Sequence, residues 1–188
     1  MHVFERQDFI VADFQAKGYV LDIGGGGEGI IGQMKPQQVV AIDISKRELE
    51  EAPAGPLKIV MDATELKFLD ASLETATAFF SLMYMKPETQ RKVFAEVFRV
   101  LAHGGRWLIW DVVIPEVIET GTRGPVFRFR FQLPGKVVQT GYGTFWPEQP
   151  IDRDHYKQLA VEAGFQIARA EQQSGQFQTV TLELRKPA

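Results

Sequence analysis

The stretch Tyr19-Val20-Leu21-Asp22-Ile23-Gly24-Gly25-Gly26-Gly27-Glu28-Gly29 decides how the rest of the chain is read. Tyr19, Val20, Leu21 and Ile23 surround a lone acid, Asp22, and predict a short buried strand, because the apolar run is too brief for a helix. Five glycines in six positions follow. Glycine takes positive φ without strain and lets backbone N–H groups approach a ligand, so the run predicts a cofactor cradle rather than a linker. Ile30-Ile31-Gly32-Gln33-Met34 then resumes an apolar pattern suited to a short helix, which completes a strand–loop–helix unit.

Two cofactor classes compete for this loop. Gly24, Gly26 and Gly29 satisfy G-x-G-x-x-G, and Asp43 lies 43 − 24 = 19 positions on, near the spacing of a nicotinamide-dinucleotide fingerprint. Asp22 argues against that reading, since an acid two residues before the first glycine would repel a pyrophosphate. A carboxylate there suits a cofactor with a cationic amine and no phosphate. The pattern resembles the first motif of the class I S-adenosylmethionine-dependent methyltransferases, acid-x-Gly-x-Gly. Val39-Val40-Ala41-Ile42-Asp43-Ile44-Ser45 is similar to their second motif, and Val60-Met61-Asp62-Ala63-Thr64 to their third. Phe98–Arg106 resembles the passage into their fifth strand. The resemblance covers roughly residues 5–112 and 150–185, with one departure: the family's third glycine would fall at Glu28, and here it comes one place later, at Gly29.

Outward from the loop, residues 3–16 carry Phe4, Phe9, Ile10, Ala12 and Phe14 at broadly helical spacing, with Gly18 as the stop. This segment is short, leaving little room for the helices that many relatives lay over the active site. Residues 38–43 predict a second strand ending in Asp43. Ser45-Lys46-Arg47-Glu48 has capping-box spacing for a helix that Pro53 ends. Strands are expected at Leu57–Met61, at Ala76–Leu82 and at Trp107–Ile114, the last broken in hydrophobicity only by Asp111. A helix from Pro87 through Leu101 carries Val93, Phe94 and Val97 on one face, with Gly104-Gly105 as its stop. Asp152–Ala163 predicts a last helix closed by Gly164. Phe165–Ala170 and Phe177–Arg185 predict a hairpin turning at Ser174-Gly175. Alternating strands and helices imply an α/β fold with a parallel sheet covered on both faces. By resemblance the sheet is seven-stranded and mostly parallel, with one reversed strand in that closing antiparallel hairpin.

The resemblance also places the chemistry. It implies S-adenosylmethionine as cofactor. Gly24, Gly25 and Gly26 would bring backbone to its methionyl part, and Asp22 would help hold its ammonium. Asp43 would accept from both ribose hydroxyls, Ile44 would lie against the adenine, and Asp62 would accept from the adenine amino group. Ala63 would leave space for the ring. Phe80 and Ser81, at the exit of the fourth strand, would flank the cofactor and face the substrate. Transfer from a sulfonium is an in-line displacement that alignment and dryness accelerate, so a general base is optional. Tyr84 is the candidate aligner or phenolic partner, with a core aromatic as the alternative. His103 reads as a surface turn, His155 as a solvated side chain and His2 as terminal; none has metal-ligand spacing, so no metal is expected.

Composition sets the outer limits. The 188 residues suit one domain. The absence of cysteine excludes disulfides and thiolate chemistry, and fits a cytoplasmic location. A net charge of −3 gives no general attraction to nucleic acid or anionic membrane, and no membrane-spanning or signal-peptide pattern is visible. Phe80-Ser81-Leu82-Met83 lacks the Asn/Asp-Pro-Pro-aromatic motif of nucleic-acid amino methylases, so a small-molecule acceptor is expected. Residues 115–150 exceed the minimal family core. Val126–Leu133 alternates with period two, Pro134-Gly135 suits a type II turn, and Val137–Phe145 would return as its partner. Arg123, Arg128, Arg130 and Lys136 face no acid between Gly121 and Pro147. This hairpin is expected to pack on its own domain, to act as a lid or to mediate a homodimer contact. Phe127, Phe129 and Phe131 would form one face, and Arg128 and Arg130 the other. The remaining alternatives are a non-catalytic cofactor-binding scaffold on the same fold and a nicotinamide-dependent oxidoreductase.

Overall fold

The computed structural model describes residues 1–116 and 121–188, so part of the 115–150 segment, 117–120, lies outside the described residues. In chain order the elements are β1 (His2–Val3), β2 (Gln7–Ile10), β3 (Val20–Ile23), α1 (Ile30–Met34), β4 (Val39–Asp43), α2 (Lys46–Glu51), β5 (Leu57–Val60) and β6 (Leu73–Phe79). A single 3₁₀ turn (Leu82–Tyr84) precedes α3 (Pro87–Val100) and β7 (Leu101–Val112). Then come β8 (Pro125–Leu133), β9 (Lys136–Gly143), α4 (Arg153–Ala163), β10 (Gln166–Gln173) and β11 (Thr179–Arg185).

Seven strands form the large sheet in the order β10-β11-β7-β6-β3-β4-β5. β11 runs antiparallel to both its neighbours, and the pairs from β7 to β5 are parallel. This is the expected seven-stranded sheet with one reversed strand. β3 is buried along its whole length, and β4 along all but its last residue, Asp43. Such burial on both faces is why their apolar runs show no alternation. From β3 the chain steps outward to β4 and β5, then returns to the other side of β3 for β6 and β7. Right-handed crossovers in these two directions put α1 and α2 on one face and α3 on the other. The reversal beside β3 opens a crevice beyond the strands' C-terminal ends, where ligands of open α/β sheets sit.

The helix ends follow the sequence signals. Ser45 caps α2, its hydroxyl accepting from the Glu48 N–H at 3.3 Å. Asp152 caps α4 by accepting from His155 N–H at 2.9 Å, and Gly164 closes it at φ 99°. Pro87 opens α3, whose Val93, Phe94, Val97 and Val100 are all buried.

Four expectations change in the large sheet. Tyr19 is exposed and lies outside β3. The fourth strand runs from Leu73 to Phe79 rather than from Ala76 to Leu82, because the backbone turns sharply at Phe80, with φ 50°. The helix before the fifth strand stops at Val100, not at Gly104-Gly105, and β7 begins at once. The glycines lie inside β7, where the register with β6 jumps from Leu73↔Leu101 to Thr75↔Arg106, a bulge that absorbs the extra residues. β5 ends at Val60, one residue short of the expected Met61.

A second, smaller sheet has β8 at its centre. β9 pairs with it antiparallel over Val126–Leu133, running Lys136–Gly143 rather than the expected Val137–Phe145, and Gly135 takes φ 78° in the turn. β1 and β2 both run parallel to β8. The N-terminal segment is therefore two strands and not a helix. Pairing Gln7–Ile10 with Phe129–Gln132 satisfies backbone groups that an isolated short helix could not protect, and it drives Phe9 and Val11 into the core. The base of the insertion is closed by reciprocal bonds between Ile114 and Ile151, at 2.8 and 2.9 Å.

Candidate active site

The two sheets meet through aromatic rings. Phe127, Phe129 and Phe131 are fully buried. Phe129 stacks on Phe131 at 4.7 Å between centroids and lies 4.6 Å from Phe80, while Phe9 touches Phe79, Phe80, Phe129 and Phe131. Neither the phenylalanine face nor the arginine face of the hairpin lines a cavity. The phenylalanines are core, Arg128 is exposed, and Arg130 pairs with Asp8 at 3.2 Å. What reaches the crevice is β9, through Gly141 and Tyr142.

The crevice is a cleft of about 900 Å³ at the C-terminal ends of β3, β4, β5 and β6, near the upper end of the ~300–1,000 Å³ common for small-molecule sites. Of the sequence-derived residues, Gly24, Gly26, Asp43, Ile44, Asp62, Ala63, Phe80, Ser81 and Tyr84 all line it. Asp22 and Gly25 do not. They lie behind the loop, on a side cavity of about 20 Å³ that also meets Gly24, Gly26, Phe79 and Tyr142.

The loop is held tightly against its neighbours. Gly25 N–H donates to Ile42 O and Gly27 N–H to Glu48 O, at 2.9 and 2.8 Å. Gly24 has φ 70°, and a Cβ there would sit 2.5 Å from the Ser81 Cβ. A Cβ on Gly26 would stand 2.6 Å from the Glu48 Cβ and 2.8 Å from Asp43 Oδ2. Only glycine fits either position.

Asp22 is buried and its Oδ1 accepts from the Thr77 hydroxyl at 2.7 Å. Burial pushes its carboxyl up to about 7, partly offset by that bond and reinforced by the charge on Asp43. Asp43 Oδ1 accepts from Ser45 N–H at 2.8 Å, while its Oδ2 faces Gly26. Asp62 Oδ1 accepts from the Thr64 N–H and hydroxyl at 2.8 and 2.7 Å, which holds its carboxyl below the usual range. Ile44 is 74% exposed beside these acids, an apolar surface that a flat ring could cover. Phe80 keeps its left-handed backbone through a bond from its N–H to Trp110 O at 2.8 Å. Such a conformation costs a bulky residue on the order of 1–3 kcal/mol, and it turns Ser81 toward the loop, where its hydroxyl donates to Ile23 O at 2.6 Å.

The turn carrying Tyr84 is clamped from three sides. Asp111 accepts from Met83 N–H at 3.0 Å, Gln90 donates to Leu82 O at 2.9 Å, and Thr144 donates to Met83 O at 3.1 Å. His155 is half-buried rather than solvated; it bonds to Gln90 Oε1 at 2.6 Å, and burial lowers its pKa. Asp111, met in the sequence as a break in an apolar strand, is fully buried, and burial raises its carboxyl to about 7. Tyr84 itself is 53% exposed at the mouth of the cleft. Partial burial and the charges of Asp111, Glu28 and Glu48 raise its phenol above its ordinary value, so it stays protonated.

Sequence reasoning missed Glu28, Glu48 and Glu51 as lining groups, and Tyr142 as well. Together with Asp43 and Asp62, the cleft wall holds five carboxylates and no lysine, arginine or histidine among the described residues. That charge pattern rejects a pyrophosphate and accepts a cofactor bearing a sulfonium and an ammonium. The carboxylate acceptors, the glycine cradle and the exposed Ile44 all fit S-adenosylmethionine.

A seven-stranded sheet with this crevice, loop and pair of strand-end acids is the architecture of a class I methyltransferase. Residues 21–109 match a family model described as a methyltransferase domain. That match places a methyltransferase domain over those residues, and S-adenosylmethionine is the cofactor their cleft suits. Among solved structures it is similar to a S-adenosylmethionine-dependent methyltransferase from Methanosarcina mazei, at 20% identity and TM-score 0.63, covering 93% of this chain and 94% of that one. It is also similar to one from Mesorhizobium loti, at 13% identity and TM-score 0.64, covering 92% and 94%. A third is magnesium protoporphyrin IX methyltransferase from Synechocystis PCC 6803 with bound S-adenosylhomocysteine, at 17% identity and TM-score 0.58, covering 91% and 75%. None of the curated proteins compared matches the sequence. Among the described residues no helix is long and apolar enough to cross a membrane.

Proposed function

We propose that this enzyme methylates a small-molecule acceptor in the cytoplasm, and that the β8–β9 hairpin is the wall that closes its site. One observation carries the reading. The cleft is bounded by Gly141 and Tyr142 of β9 on one side and by carboxylates on the other, the wrong sign for a nucleic-acid strand.

When bound, S-adenosylmethionine supplies an electrophilic methyl group on a sulfonium. In this reading Asp22, Gly24, Gly25 and Gly26 hold the methionyl end, with Asp22 acting through the side cavity behind the loop. Asp43 Oδ2 receives the ribose hydroxyls while its Oδ1 remains on Ser45 N–H. Ile44 and Ala63 enclose the adenine and Asp62 accepts from its amino group. Phe80 and Ser81 separate cofactor from acceptor, and Tyr84 orients the acceptor by donating its hydroxyl hydrogen. The aromatic layer of Phe79, Phe80, Phe129 and Phe131 excludes water from behind, which favours an in-line displacement.

The test is calorimetry followed by turnover. S-adenosylhomocysteine should bind and NAD(H) or NADP(H) should not. S-adenosylhomocysteine should then be released with a cell extract filtered to small molecules, and not with DNA or RNA. Turnover on nucleic acid alone would reject the small-molecule reading.

A further inference from the structure

The part of the cleft not assigned to the cofactor has its own chemistry. On the side bounded by β9 and the Tyr84 turn, its lining includes Glu28, Tyr84, Met85, Thr89, Gly141 and Tyr142. Glu28, which interrupts the glycine run, is the one charged side chain among these six. Its carboxylate is oriented from β9: the Thr140 hydroxyl donates to Glu28 Oε1, and the Tyr142 phenol lies near enough to feel its charge. A carboxylate has about four acceptor positions, so the Thr140 hydroxyl orients it and leaves capacity for a ligand. Burial and the charge on Glu28 keep the Tyr142 phenol protonated, so Tyr84 and Tyr142 line the cleft with Glu28 as neutral aromatic side chains.

We propose that Glu28 sets the acceptor class of this site: a small amine, bound as its cation between the Glu28 carboxylate and the rings of Tyr84 and Tyr142. The inference rests on the methyltransferase reading above. An aromatic face attracts a cation through its quadrupole, and a carboxylate attracts it through its charge. An anionic acceptor would meet Glu28 with no basic group on the wall to offset it. The protons also balance. The ammonium loses one proton to solvent at the mouth, where Tyr84 is half-exposed. The freed nitrogen lone pair then forms the N–C bond as the methyl's bond to sulfur breaks, its electron pair remaining on the sulfur. The product is again a cationic amine.

Three probes of one skeleton test this: phenethylamine, phenethyl alcohol and phenylacetate, each titrated calorimetrically into the protein saturated with S-adenosylhomocysteine. Phenethylamine should bind at least tenfold tighter than phenylacetate, with the alcohol between them. Glu28→Gln should abolish the preference while leaving the affinity for S-adenosylhomocysteine within about threefold. Thr140→Val removes a support of the carboxylate but not its charge, and should keep the preference with weaker affinity. Equal or tighter binding of phenylacetate, an unchanged preference in Glu28→Gln, or no binding of any probe would overturn the proposal while the cofactor reading stands. Failure of S-adenosylhomocysteine itself to bind would overturn the cofactor reading, and this one with it.

Discussion

Between Val20 and Asp43 every group facing the cleft comes from one continuous strand–loop–helix–strand unit, whereas the opposite wall is β9 backed by β8 and β2, and β2 lies more than a hundred residues from the other two in the chain. The first region is held by short-range backbone bonds, such as Gly25 N–H to Ile42 O and Gly29 N–H to Gly26 O. The second is held by side-chain burial, with Phe9 reaching across to Phe129 and Phe131. The difference teaches where each kind of information resides. A loop that must approach a ligand needs particular backbone conformations and so declares itself in local composition. A wall that must only be apolar within and correctly placed declares itself when its distant pieces meet.

If the small sheet is part of the common core, Phe129→Ala should have the largest effect. It removes a fully buried ring packed against Phe80, Phe131 and Phe177, and should lower stability by about 3–5 kcal/mol. A loss under about 1 kcal/mol by chemical denaturation would show that the small sheet is a detachable flap and would break the comparison.

The loop side is tested next through pH. Asp22 has a folded value of about 7 against 3.8 when unfolded. Between those values the folded state binds more protons, so the stability this group contributes is fully present below about pH 4 and is lost as pH rises through 7. Asp22→Asn cannot ionise, keeps an acceptor for Thr77, and should flatten the unliganded profile. Its stability relative to the native protein should improve by about 2–3 kcal/mol from pH 5 to pH 8. Parallel profiles for the two proteins would show that Asp22 is not the titrating group.

Asp43→Asn sharpens the division of labour at the end of β4. The amide oxygen can still receive the Ser45 N–H, so the unliganded melting temperature should barely move. Affinity for S-adenosylhomocysteine should fall roughly tenfold or more, equivalent to about 1.4 kcal/mol. Collapse of the unliganded fold would make Asp43 a structural residue.

The smallest effect is expected where the two regions are joined. Thr144→Val deletes the bond to Met83 O at 3.1 Å, one of three clamps on the Tyr84 turn. It should cost about 1 kcal/mol, with turnover reduced more than cofactor affinity. Equal losses in both would mean that the turn serves the fold rather than the acceptor.

The legible parts of the site share a physical trait. Asp43 and Asp62 end apolar strands, Ser45 caps the next helix, and Pro87 opens α3; each signal lies within a few residues of the feature it reports. The illegible parts lack that locality. The spacing of Phe4, Phe9 and Ile10 fits a helix as well as a strand, and pairing with β8 decided between them. Gly104-Gly105 reads as a helix stop because a glycine pair is common there, yet the pair serves a bulge within β7. Asp111 and His155 read as an interruption and a solvated side chain; one buried and one half-buried, they support the Tyr84 turn, Asp111 directly and His155 through Gln90.

The sequence by itself determined the α/β class, the closing hairpin, the cofactor loop and the acids that face it, because those depend on backbone geometry and periodicity encoded at short range. Only the tertiary structure decided that the N-terminal segment is a strand, that the phenylalanines of β8 are core, and that Glu28 and Tyr142 share a wall. Those outcomes depend on which distant apolar surfaces bury one another, and burial free energy is a property of the assembled contact rather than of either segment.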